Sequence, residues 1–175
     1  MMSIQAKSIM DNALENKRIR SILDQVCDPE IPVLTINEMG ILRDVNLVGD
    51  TVTVTITPTY SGCPAIDQIT DEINAVLKVK GYPKSKVDLV LSPAWTTDWM
   101  DDDARIKLNN YGIAPPCKTS ALNQQTGEHK LKFSASCPQC KSLNTVQISE
   151  FGSTACKALW KCKDCLEPFD YFKPI

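Results

Sequence analysis

Four cysteines near one end of the chain stand in two pairs of identical spacing, Cys137-Pro138-Gln139-Cys140 and Cys162-Lys163-Asp164-Cys165, with residues 141–161 between them. Two thiolates three residues apart on a tight turn can face one ion, and two such knuckles supply the four ligands of a tetrahedral site. The knuckle-hairpin-knuckle plan favours Zn2+, while rubredoxin-like iron or an iron-sulfur cluster would take the same ligand set. Unliganded thiols or a disulfide pair are the plainer alternative. Cys156 would lie ~20 Å from Cys162 along an extended strand, too far to join the tetrahedron, and reads as a small buried strand residue.

A second candidate is Cys63, in Tyr60-Ser61-Gly62-Cys63-Pro64. Proline favours the first helical position, so Cys63 is expected to cap a helix, where unpaired N–H groups and the helix dipole favour the reactive thiolate. Asp28 and Glu30 flank Pro29 and could orient a ligand or a partner's metal; solvated turn residues are the simpler reading. Thr57 and Thr59 precede Cys63 and could donate hydroxyl hydrogen bonds, though threonine is also common in strands. Cys27, Cys117 and His129 have no partners at useful spacing, and no serine-histidine-carboxylate signature accompanies His129. Trp95 and Trp99 suit a core or docking patch better than a base-stacking platform, which would come with cations. No GxGxxG, GxxxxGK[ST] or HExxH pattern occurs.

The elements that must hold these residues follow from periodicity. Ile19, Ile22, Leu23 and Val26 recur at helical spacing, and Asp28-Pro29 is expected to stop that helix. Ile41 to Val45 and the alternating Thr51–Thr57 make a strand pair across Gly49-Asp50. Ile66, Ile69, Ile73, Val76 and Leu77 mark a helix over 64–80, Val87, Leu89 and Leu91 a third strand, and residues 98–110 a last helix with acidic residues first and basic ones later. Strands over 145–149, 155–161 and 169–172 should complete the cysteine-rich part. The fold class is therefore α+β: a domain over 1–115, a linker over 116–132, and a ribbon over 133–175 that is too short to fold without a staple.

The chain of 175 residues has 43% hydrophobic and 23% charged residues, which suits a globular protein. Fourteen basic residues stand against seventeen acidic ones over 1–132, and five against four over 133–175. Neither part carries the basic patch that binding to nucleic acid requires. No apolar run approaches the ~20 residues of a membrane helix, and the first twenty residues are too charged for a signal peptide. Eight cysteines in such a chain point to the reducing cytoplasm and to metal or thiol chemistry.

Asp28-Pro29-Glu30-Ile31-Pro32, Met39-Gly40-Ile41, Val45, Thr57-Pro58 and Ser61-Gly62-Cys63-Pro64-Ala65 resemble the metal-sulfur cluster assembly (SufT-like) domain over residues 17 to about 113. The segment 149–159 between the cysteine pairs and Pro168-Phe169-Asp170-Tyr171-Phe172-Lys173 after them resemble the PaaD-like family of bacterial phenylacetate degradation, over nearly the whole chain. The resemblance implies a non-catalytic accessory protein that assists iron-sulfur or di-iron centre assembly in the oxygenase that epoxidises phenylacetyl-CoA. It implies a functional thiol at Cys63, able to hold an iron-sulfur cluster transiently, with an acidic turn at Asp28 and Glu30. The implied partners are components of the oxygenase or its iron-sulfur reductase, and a homo-oligomer is open. Two other readings stand beside it: a structural subunit of the oxygenase complex, and a zinc-ribbon nucleic-acid binder. The family's further cysteine near the C-terminus is replaced here by Pro174-Ile175.

Overall fold

The computed structural model describes residues 4–117 and 134–175, with side chains from residue 12 onward. Most of the segment expected as a linker, including His129, lies outside the described residues. The chain forms two compact units, residues 1–95 and 96–175.

In the first unit, helix α1 (Ile4–Leu23) is followed by strands β1 (Cys27–Asp28) and β2 (Ile31–Thr35), an antiparallel pair. The helix ends at Leu23, earlier than Asp28-Pro29 would require. Val26 turns into the core, and Cys27 and Asp28 pair with Thr35 and Ile31 instead of continuing the helix. Strand β3 (Leu42–Val48) runs antiparallel to β4 (Thr51–Ile56), and β5 (Ser85–Leu89) pairs parallel to β4 on its other side. Helix α2 (Ala65–Val79) makes the crossover that parallel strands need. Val52, Val54 and Ile56 are completely buried, as are Ile69, Ile73 and Leu77 of α2. Burying each such side chain is worth roughly 1.5–3 kcal/mol, which fixes the helix to this sheet. Trp95 belongs to the same core, and its indole N–H donates to the Met39 carbonyl at 2.9 Å.

The second unit contains a 3-10 turn (Thr97–Trp99), helix α3 (Asp102–Tyr111), and strands β6 (Ile113–Ala114), β7 (Thr145–Ser149), β8 (Lys157–Cys162) and β9 (Pro168–Phe172). The single helix expected over 98–110 is thus split. The Asp101 carboxylate accepts from the Ala104 N–H at 2.6 Å and starts α3 afresh, and Gly112, at φ 97°, ends it. The strands form one sheet in the order β6-β9-β8-β7. The boundary expected at 115 falls inside this unit, because Ile113 and Ala114 pair with Asp170 and Tyr171 of β9. A small core gathers Ala135, Cys137, Ala158, Trp160, Cys162, Phe169 and Tyr171, with the Trp160 and Tyr171 rings edge to face at 5.8 Å. Helices and sheets together make the α+β class.

Candidate functional site

The ribbon's two cysteine pairs sit on reverse turns closed by backbone hydrogen bonds. Cys137 N–H donates to the Ser142 carbonyl and Cys162 N–H to that of Glu167, both at 2.9 Å. Lys141 and Leu166, with φ of 63° and 67°, take the left-handed conformation that bends the chain back after each knuckle. Asp164 ties the knuckles together by accepting from the Ser142 hydroxyl and from Asn144 Nδ2, and these bonds hold its carboxyl below the usual range. The Sγ atoms of Cys137, Cys140, Cys162 and Cys165 all lie within 4.8 Å of one another.

Cys137 Sγ is 3.7 Å from Cys165 Sγ, and Cys140 Sγ is 3.5 Å from Cys162 Sγ. A disulfide needs about 2.05 Å. Four sulfurs about 2.3 Å from one ion would be about 3.8 Å apart, so the donor set fits a metal. Within the four, the Cys162 thiol is lowered, first by the Cys165 N–H that points at its sulfur, while those of Cys140 and Cys165 are raised, the Ser142 and Glu167 N–H groups being outweighed by burial and by the neighbouring sulfurs. Among the described residues, no other group of three or more histidines, cysteines and carboxylates converges in this way. Cys156 is buried beside the Thr154 hydroxyl, 3.0 Å from it, outside the four-sulfur group. Cys117 lies in the same unit, with its sulfur 3.6 Å from the Tyr171 hydroxyl.

In the first unit, the carboxyl ends of β4 and β5 and the start of α2 enclose a cleft of about 380 Å³ that includes Pro58, Cys63, Ile66, Asp67, Leu89 and Leu91. Gly62, at φ 81°, makes the turn into α2. Pro64, not Cys63, is the capping residue, and it has helical backbone angles. Cys63 therefore stands one position outside the helix. Burial pushes its thiol above the ordinary 9.0, and the charge of Glu30 pushes the same way. The Ala65 N–H and the Tyr60 and Thr59 hydroxyls lower it without reversing the outcome. The sequence-based expectation of a resting thiolate is thus corrected: desolvation outweighs the helix end.

Glu30 and Thr59 are near enough to act on Cys63. Asp28 is buried, and its Oδ1 accepts from the N–H groups of Glu30 at 2.7 Å and Ile31 at 3.0 Å, so it shapes the turn that carries Glu30. Thr57 is buried, its hydroxyl has no hydrogen-bond partner among the described residues, and it is not part of the cleft wall. Leu89 and Leu91 read from sequence only as strand residues, and the parallel pairing of β5 beside β4 brings them to Cys63, whereas Asp67 joins the same cleft from the first turn of α2, four residues after Cys63.

Residues 121–173 match the family described as "PaaD zinc beta ribbon domain", and residues 16–89 match "Iron-sulfur cluster assembly protein". The chain is 48% identical to a PaaD protein of Escherichia coli, named there as a putative subunit of 1,2-phenylacetyl-CoA epoxidase, over 90% of this chain and 92% of that one. It is 37% identical to "Fe-S protein maturation auxiliary factor YitW" of Bacillus subtilis, over 57% of this chain and 97% of that one. A Bacillus anthracis crystal structure, "Domain of Unknown Function DUF59", superposes with a TM-score of 0.54 at 28% identity, over 57% of this chain and 96% of that one.

Proposed function

The chain belongs to the PaaD family of 1,2-phenylacetyl-CoA epoxidase proteins, and from that premise we propose that it is a cytoplasmic accessory factor for maturing the metal centres of such an epoxidase, with Cys63 as the working thiol. The recipient is the oxygenase component or its iron-sulfur reductase, and iron or a cluster is the cargo. The observation that carries this reading is the placement of one half-buried thiol, with Glu30 and two hydroxyls close by, at the mouth of a cleft in the unit that matches iron-sulfur assembly proteins.

The chemistry follows from the electrostatics. Burial and Glu30 keep the proton on Cys63 while the cleft is empty, which limits oxidation and stray alkylation. A thiophilic cation at the sulfur reverses that balance, because it stabilises the thiolate and the neighbouring carboxylate together. The proton leaves as the sulfur-metal bond forms, so loading is coupled to cargo and reversible. In the ribbon, Cys137, Cys140, Cys162 and Cys165 hold a single Zn2+, which crosslinks the two knuckles and supplies no step of the transfer. A one-ion tetrahedron suits sulfurs this close better than a cluster, which spreads its thiolates over several irons.

Cys63→Ser, co-expressed with the epoxidase components, is expected to leave zinc content and fold unchanged and to lower the iron content of the oxygenase or reductase. Unchanged iron occupancy would remove the thiol from the function.

A further inference from the structure

Strand β5 pairs with β4 on one side, and among the described residues no strand pairs with its other edge. On one face of β5, Ser85 donates to Asn74 of α2 at 2.6 Å and its register partner is Val52, while Leu89 pairs with the buried Ile56. Extended backbone continues to Val90, whose N–H donates to the Ile56 carbonyl at 2.9 Å, so Leu91 lies on that same face two residues on. The row starts beneath α2 and runs out past its first turn. There Leu89 and Leu91 are 51% and 60% exposed, and with Ile66, Pro58 and Pro64 they make the wall of the cleft around Cys63.

Asp67 is the charged residue in this wall, and it takes part in none of the ion pairs among the described residues. Asp88, one residue before Leu89, is paired to Lys86 at 2.7 Å. An open strand edge, an exposed apolar row at period two and one unpaired carboxylate together describe a complement. It is extended, apolar at alternate positions, and cationic where it meets Asp67.

We propose that the β5 edge and the Leu89–Leu91 wall form a docking site for an extended segment of the recipient polypeptide, which adds as a strand beside β5 and carries a lysine or arginine to Asp67. The site rests on the reading of Cys63 as the working thiol, and supplies what that reading lacks, a means of holding the recipient against the sulfur. Main-chain hydrogen bonds along the edge provide affinity that is indifferent to sequence. The leucine wall and Asp67 select the register.

The test uses the full chain and the purified oxygenase and reductase components of the epoxidase as the probe. Leu89→Asp/Leu91→Asp, both at exposed positions, is expected to weaken binding at least tenfold, and Asp67→Asn to reduce its salt dependence. Amide hydrogen exchange over 85–91 should slow on binding. Undiminished binding by the double variant, or unchanged exchange over 85–91, overturns the docking site. The thiol's role would then still stand or fall by the iron content of the Cys63→Ser co-expression. Slowed exchange that depends only on the concentration of this chain would make the edge a contact between two copies, and would equally overturn the proposal.

Discussion

Stripping the metal from the ribbon is the perturbation whose result the structure specifies most fully. Cys137 and Cys162 are completely buried and belong to the same small core as Trp160, Phe169 and Tyr171. Removing the ion leaves four sulfurs that repel one another once ionised, 3.5 and 3.7 Å apart across the pairs, and only a handful of apolar side chains to hold the sheet. The Zn2+ proposed for this site would couple about 10–16 kcal/mol of binding free energy to folding, whereas a whole domain is stable by about 5–15 kcal/mol. The ribbon sheet should therefore melt when the metal is chelated. Trp160 reports it, because its edge-to-face contact with Tyr171 is lost as the ring reaches water. The assay is near-ultraviolet circular dichroism and tryptophan emission during chelator titration, with metal content measured on each sample. Zinc should restore both signals, and the helical signal of α1 and α2 should persist throughout. A metal-free chain that keeps its Trp160 signal and its β8–β9 amide protection would refute the reasoning, since packing alone would then suffice.

Alkylation of Cys63 should accelerate about tenfold per pH unit through pH 8 to 9 without levelling off, because the thiol titrates above 9.0. A plateau below pH 8 would contradict its burial. Since folding raises this pKa, the protonated thiol favours the folded state up to about pH 9, and that contribution is lost as pH rises through the folded value. Gly152→Ala should destabilise the ribbon by about 1–3 kcal/mol, because a Cβ there would stand 2.3 Å from Asp170 Oδ1 and 3.3 Å from the Ala158 backbone. Asp170 would have to give up its bonds to the Ser153 N–H and hydroxyl, and an unchanged melting temperature would refute this.

The ribbon was legible in the sequence because its information is local. CxxC spacing dictates knuckles, alternation dictates the strands between and after them, and β7, β8 and β9 begin within two residues of where those patterns place them. The same holds for α2, whose proline start and apolar repeat are written into one stretch of chain. Cys63, too, is visible as a thiol at a strand-to-helix turn.

What escaped the sequence depends on contacts between distant segments. The end of α1 is decided by the pairing of Cys27 and Asp28 with β2, which a residue-before-proline rule cannot foresee. β6 is a strand only because β9 lies beside it. Above all, the protonation of Cys63 is a tertiary property. The local geometry of a helix start argues for thiolate, but burial in the cleft and the charge of Glu30, 33 positions earlier in the chain, raise the thiol instead. Residue types and spacing thus determined which groups could do chemistry, while the fold decided how much water and which charges each of them meets, and those set the form in which each one rests.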